Sequence, residues 1–486
     1  MRDYVVLINV DDAVSRTVAR RLRAEHIYCR IEPVTTPAAA LMTADVRGLI
    51  VAAGSTGVTA KLPELPSYLD AGLPLLCLGD AALTLCEATG GALSDLPLPG
   101  GVEQVQFNSD IPLLHGAEDG ERFLRNCRYM TQLPEEAIAM AFTAAGVLGF
   151  QLGEKPVWAF AMQLERNDMS GTQLLMNFCQ DVCQCTPWWS HQAFIEEAKA
   201  AIAQAAGDGD ALCALSGGVD SGVCALLGHM ALGQRLHCIF IDTGLLRKGE
   251  ANRVMEFYRD QAGLDLTRVD ASDLFLSALT GVADTAEKER IIFQLLRQVL
   301  QQETARHENV RLLIQGTNYS DVLKGSHYPL EAPAEGMAVI EPVRELFKDE
   351  VRQIGEGLGM SPGMLQRQPF PGSGLAGRIM GEVTAEKLAI VREADAIFRY
   401  EIAENNQAKR LWQYFAALAE SPDPEGGYMV TLRAVQAQDG GGGMAARLPN
   451  DLLERVTLEI LQRCPQVRRV LFDLTPSKSY APVETL

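Results

Sequence analysis

The sequence predicts an α/β protein: two doubly wound, mostly parallel-sheet domains followed by a smaller α+β domain. Three observations carry this. Short β-branched runs alternate with amphipathic stretches over residues 1 to about 190, the alternation restarts at Ala211, and beyond about residue 388 long helical patterns take over. Buried strands alternating with helices are the pattern of a parallel sheet covered on both faces. The 486 residues also exceed the ~250–300 at which one core stops growing. Boundaries are expected near 192/193 and 387/388.

In chain order, Tyr4–Val10 is a β-branched run and Ala13–Glu25 an Arg-rich amphipathic helix. Gly48–Ala53 and Pro74–Leu78 are buried-strand patterns, and a helix is expected from Gln192 to Ala206. The second unit opens with the strand ALCALS, the turn SGGVDS and a helix over Gly222–Leu232. Strands follow at His237–Asp242 and Arg311–Gly316, with a helix from Glu250 between them. Pro369–Gly374 is a loop, because its prolines and glycines cannot continue a helix. In the last unit, strands are expected at Met429–Val435 and Arg469–Asp473, and Asp439–Gly443 as a loop.

Composition narrows the function classes. The formal net charge of −19 repels phosphate backbones and anionic lipid, so nucleic acid and membrane are not expected as partners. No apolar run reaches the ~18 residues of a membrane span. Acids near the N-terminus are unlike a signal peptide. The 11 Cys are scattered and odd in number, which fits a reducing cytoplasm; Cys179, Cys183 and Cys185 read as core thiols rather than metal ligands. An anionic substrate must then be drawn by a local basic pocket.

The sharpest signal is SGGVDS: Ser216, Gly217, Gly218, Val219, Asp220 and Ser221. The glycines let backbone N–H groups approach an anion, and the following helix start adds partial positive charge. Ser216 and Ser221 offer hydroxyls; Asp220 is expected to order the turn and to help hold magnesium. The Lys of a Walker loop is absent, which suits a pyrophosphate leaving group better than γ-phosphate transfer.

At SGGVDS the chain resembles the ATP-pyrophosphatase superfamily, and the surrounding segments resemble GMP synthetases. These are HCIFIDTGLLRKGE (His237–Glu250), GVADTAEKER (Gly281–Arg290), QGTNYSDV (Gln315–Val322), IEPVRELFKDEVR (Ile340–Arg352), QPFPGSGLAGRIMGEV (Gln368–Val383) and SKSYAPVE (Ser477–Glu484). The resemblance implies that ATP adenylylates the C2 oxygen of xanthosine monophosphate and that ammonia then displaces AMP. It implies a pyrophosphate site at Ser216–Ser221 and catalytic roles for Asp220, Lys348 and Asp349, with the two acids holding magnesium. It also implies substrate contacts from Arg247, Lys478 and Glu484, and a homodimer through the C-terminal domain. Taken without its motif, Lys348 reads as a solvated helix charge, and Lys478 and Glu484 as an exposed tail.

The N-terminal unit resembles a class I glutamine amidotransferase in layout, at Gly48–Val58, Leu73–Leu85, Ala159–Asp168 and Leu174–Cys185. Its catalytic residues are missing. Gly79 stands where the family has its nucleophilic Cys, Glu165 at the His and Asn167 at the Glu; a glutaminase needs a thiolate beside an imidazole. Cys77 and Cys86 read as core. The lid (Leu323–Val339) and the C-terminal stretch Ser421–Gly427 also depart from the family. The expected function is therefore amination of a purine nucleotide with external ammonia, free or from a supplying partner. The alternatives are the same activation with a different acceptor or nucleophile, such as sulfur or another amine, and a non-catalytic nucleotide-binding relative.

Overall fold

The computed structural model describes residues 2–98, 100–153, 155–162, 169–324, 337–368, 370–438 and 442–476. The chain forms two compact units, Met1–Glu197 and Ala198–Leu486.

The first unit is built on one mixed sheet. Cys29–Pro33, Tyr4–Asn9, Val46–Ala52, Leu75–Leu78 and Val157–Phe160 pair in parallel, in that spatial order. These runs are apolar because they are covered on both faces. The helix Asp12–Ala24 starts on an Asp11 carboxylate that accepts from the N–H groups of Ala13 and Val14, a side-chain N-cap. Beyond Val157–Phe160 the sheet turns antiparallel through Val147–Gln151, Ile138–Phe142, Gly101–Phe107 and Gly120–Leu124. The sequence reading saw only the parallel half. Gly101–Phe107 alternates exposed and buried positions, and such half-exposed strands lack the continuous apolar signal.

The second unit holds a parallel sheet in the order Asp265–Asp270, Leu236–Asp242, Asp210–Ala214, Val310–Ile314, Ala338–Ile340. The strand order reverses at Asp210–Ala214, and in such sheets ligands bind outside the carboxyl ends of the strands at that switch point. SGGVDS leaves that end. The helix after it runs Val219–Leu232, three residues earlier than expected. Asp220 falls in its first turn, where an acid suits the helix dipole.

Next to the parallel sheet, Gln413–Glu420, Tyr428–Gln438 and Gly442–Ala445 pair antiparallel, and Val467–Asp473 joins Tyr428–Gln438 in parallel. The helices Ala385–Glu404 and Asn450–Arg463 pack with them. One buried cluster runs from Phe275 and Ile292 through Leu375 to Phe398, Leu418 and Leu432, so a single core crosses residue 387. The expected loop Asp439–Gly443 is corrected in part. Gly442 and Gly443 are strand residues opposite Gln438 and Ala437, because the ladder hydrogen bonds hold glycines that have no side-chain propensity of their own; residues 439–441 lie outside the described residues. Among the described residues, no helix is long and apolar enough to cross a membrane.

Gly316, just past Val310–Ile314, fixes how closely the sheet approaches the loop. A Cβ there would run into Ser221 N and lie 2.6 Å from Ser221 Cα and 2.8 Å from Asp220 C. These are backbone atoms and cannot swing aside. Gly316→Ala is expected to destabilise the chain by about 1–3 kcal/mol; a urea midpoint equal to that of the parent would contradict this packing.

Candidate functional site

The loop after Asp210–Ala214 is ordered by its two serines. Ser216 Oγ and Ser221 Oγ lie 2.9 Å apart, Ser221 Oγ accepts from Ser216 N at 3.1 Å, and Ser216 Oγ accepts from Gly218 N at 3.2 Å. Gly218 occupies the N-cap position of Val219–Leu232, and no side chain among the described residues caps this helix. The first-turn N–H groups, which no helix can satisfy internally, are thus left without a side-chain acceptor at the open end of the sheet. That is an anion-binding arrangement.

Asp220 does not order the turn, contrary to expectation. The serine hydroxyls do so, because they are short enough to fold back onto the loop backbone. The Asp220 carboxylate instead reaches Lys348, pairing through Oδ2. Its Oδ1 is buried and makes no hydrogen bond among the described residues. Lys348 opens the helix Lys348–Gly357, whose start is fixed by Phe347 N donating to Glu350 Oε2 at 2.8 Å. Lys348 is therefore more than a solvated helix charge. Asp349 follows it in the first turn and is exposed. Among the described residues, no group of three or more His, Cys, Asp or Glu gathers to hold a metal. One or two carboxylates with substrate phosphates is, however, the usual setting of magnesium, and the buried free oxygen of Asp220 fits it.

Arg247 is buried. Its guanidinium lies 3.6 Å from Asp395, donates to Gln368 O at 3.3 Å and sits 4.2 Å from the centre of the Phe370 ring. Burial pulls its pKa down to about 10, against the Asp395 carboxylate, which pulls it up. The segment around it is clamped from the C-terminal side: Leu375 N donates to Leu245 O at 2.8 Å, and Arg392 donates to Gly244 O at 2.6 Å and Leu246 O at 2.9 Å. Lys478 and Glu484 lie outside the described residues, as does most of the stretch Leu323–Val339.

Sequence reasoning missed three further arginines. Arg253, Arg367 and Arg399 line a cavity of about 310 Å³ with Arg247, and Gly217–Val219 form one wall of it. Arg367 pairs with Glu250 and donates to Gly217 O, tying the loop to the Pro362–Leu365 turn. Arg367 directly precedes Gln368, where the quoted PFPG motif begins, which was the one available signal; Arg253 and Arg399 sit on helical segments in no motif.

In the first unit, Gly79 sits between Leu75–Leu78 and the helix Asp80–Ala88 with φ 64° and ψ −133°, a strained strand-to-helix elbow that only Gly adopts easily. The space above it is taken. A Cβ on Gly79 would run into Ala53 O and lie 2.6 Å from Gly54 O, and Asp80 N, the amide after the elbow, already donates to Gly54 O at 2.8 Å. The Asp80 carboxylate holds this closure, accepting from Thr56 N at 2.8 Å, Thr56 Oγ1 at 2.6 Å and Gly57 N at 3.1 Å. Cys77 and Cys86 are buried core thiols, pushed up by burial to about 12 and about 11. Glu165 and Asn167 lie outside the described residues.

Comparison with known proteins gives the family. Residues 400–485 match the family model described as the GMP synthase C terminal domain. The chain is 36% identical over 507 residues to the glutamine-hydrolyzing GMP synthase of Caldicellulosiruptor saccharolyticus, covering 99% of both chains. It is 36% identical over 508 residues to that of Clostridium botulinum strain Kyoto, and 35% identical over 508 residues to that of Geobacillus kaustophilus, again over 99% of both chains. Likeness of this depth over nearly the whole of both chains means that the chain belongs to the GMP synthase family.

Proposed function

We propose that the chain is an AMP-forming, ATP-dependent ligase that adenylylates an oxygen of a purine nucleotide, xanthosine monophosphate or a relative, and then aminates it with external ammonia. The observation that carries this reading is the juxtaposition of the uncapped loop Ser216–Ser221 with the Lys348–Asp220 pair. The loop amides and Lys348 bind the β- and γ-phosphates, which leaves the α-phosphorus open. The acceptor oxygen attacks it, the bond from the α-phosphorus to the bridging oxygen breaks, and pyrophosphate carries the electron pair away. Ammonia then adds at the activated carbon, and AMP leaves with the acceptor oxygen. Asp220 and Asp349 would hold magnesium, which neutralises phosphate charge when bound. Arg247, Lys478 and Glu484 are proposed to contact the nucleotide.

The relatives are named as glutamine-hydrolyzing enzymes; this chain is read as having lost that activity. The closed elbow supports the reading. Hydrolysis would need a thiolate at position 79 and a free amide at Asp80 to meet the oxyanion, yet position 79 has no side chain and that amide is already bonded to Gly54 O. The ammonia then comes from solution or from a supplying partner. A second reading, a different acceptor, is favoured by one observation. Ser421–Gly427 is reduced to a tight connection between two strands, with Asp423 bound by Arg469 at 2.5 and 3.1 Å and by Ser421 at 2.6 Å, and it carries none of the family's motif at this place.

A homodimer through the C-terminal part is also proposed. Leu458, Leu461, Leu471 and Leu474 are exposed there, apolar surface that association would cover. Light scattering at micromolar concentration is expected to give twice the chain mass; a monomer there would remove the proposal.

With ATP, magnesium and xanthosine monophosphate, ammonium is expected to support formation of AMP and GMP, and glutamine is not. Gly79→Cys is expected to remain without glutaminase activity, because the new side chain meets the Ala53 and Gly54 carbonyls; glutamate release by that variant would show that the elbow opens. Lys348→Ala and Asp220→Asn are each expected to lower the rate of ATP cleavage by about 100- to 1,000-fold, read as pyrophosphate release. Full cleavage by either variant would refute the site assignment.

A further inference from the structure

The arginine-lined cavity beside the phosphate loop holds more positive charge than its own carboxylates neutralise. At about 310 Å³ it stands at the small end of ligand sites, which span roughly 300–1,000 Å³. Four arginines line it, Arg247, Arg253, Arg367 and Arg399. Three carboxylates stand against them. Glu250 is taken by Arg367. Asp395 is shared between Arg247 at 3.6 Å and Arg399 at 4.0 Å. Glu256 is exposed at the rim. Arg399 Nε is buried and makes no hydrogen bond among the described residues. The guanidinium of Arg253 donates to Lys248 O at 3.0 Å and makes no other hydrogen bond among the described residues.

The field inside the cavity has the same sense. Burial first, and then Arg247 and Arg399, pull Arg367 down to about 9. Burial and then Arg399 pull Arg253 down as well. Guanidiniums do not give up their protons in proteins, so the downward pull is chiefly the cost of burying them and, after that, of holding like charges together, and an anion between them would relieve the second part. A planar fork of donors is also the geometry that best matches phosphoryl oxygens.

We propose that this cavity is a second phosphoryl-anion subsite, contiguous with the loop Ser216–Ser221, in which Arg253 and Arg399 donate to the ligand while Arg367, held by Glu250 and Gly217 O, forms the fixed wall. The subsite rests on the ligase reading only for the source of its occupant: the departing pyrophosphate, or the phosphate ester of the acceptor nucleotide.

The full-length chain is titrated calorimetrically with inorganic pyrophosphate, with xanthosine 5′-monophosphate and with xanthosine, as the parent and as R253M and R399M; ATP is titrated in parallel to report on the loop. Each substitution is expected to weaken binding of a phosphoryl probe by about tenfold and to leave xanthosine unaffected, with R399K recovering part of the loss. Weakened pyrophosphate assigns the leaving group as occupant; a weakened monophosphate with unchanged pyrophosphate assigns the acceptor ester. The subsite is overturned if the parent binds neither phosphoryl probe, or if both variants bind each probe within about twofold of the parent. Arg253 stands at the exposed rim, so R253M keeps the test open should R399M fail to fold. Failure of the parent to bind ATP would instead sink the ligase reading, and would leave the result on the two phosphoryl probes standing.

Discussion

The structure depends on a helix start that is left uncapped. Backbone N–H groups at the beginning of a helix need acceptors, and most proteins supply one from a side chain. Here Gly218 stands at the cap position of Val219–Leu232 and offers none. The loop keeps its shape only because Ser216 and Ser221 bond each other and the neighbouring backbone. Gly316 lets the next strand come up against the same turn without a side chain in the way. Lys348 then arrives from a segment 128 residues further on to meet Asp220. Each of these features is local and chemically ordinary. Together they hold an unfilled demand for negative charge at the reversal point of the sheet.

The first unit uses the same local architecture and fills it. A parallel strand again runs through a glycine into a helix, Leu75–Leu78 to Asp80–Ala88. There the amide of Asp80 is satisfied by Gly54 O, and the Asp80 carboxylate gathers Thr56 and Gly57 onto the elbow. An acid immediately after the turn serves opposite ends in the two units. Asp80 turns inward and closes its own site. Asp220 turns instead to a lysine and leaves the first-turn amides of its helix without a side-chain acceptor among the described residues. What separates a sealed turn from an open one is thus where a single carboxylate points.

Much of this was legible in the sequence, and the limits have physical causes. The parallel strands and the glycine turn Ser216–Ser221 announce themselves, because burial on both faces demands continuous apolar runs and a tight strand-to-helix turn demands glycines. The antiparallel strands Gly101–Phe107 and Gly120–Leu124 were not seen, since half-exposed strands carry only a weak alternation. The closure of the elbow was equally invisible: Gly79 signalled the missing nucleophile, but nothing in Gly54-Ser55-Thr56 says that a carbonyl will occupy the space above it. Arg253 and Arg399 escaped notice because an arginine on a helix is usually a solvated charge, and only the packing of Ala385–Glu404 against the Arg247 segment turns Arg399 toward the cavity.

Charge links the site to the whole chain. At a formal net charge of −19, the long-range field disfavours any polyanion, so affinity for phosphate has to be made at short range. Two devices do this. Oriented backbone dipoles at the loop carry no net charge and leave the global balance untouched. Of the guanidiniums beyond them, that of Arg247 is buried and those of Arg367 and Arg399 are half-buried, where solvent and salt screen them less than fully exposed charges. A surface lysine patch would be weakened by both the overall field and the ionic atmosphere. Largely buried arginines beside an uncapped helix start are weakened less by both, and that is the arrangement proposed for phosphate in this strongly acidic chain.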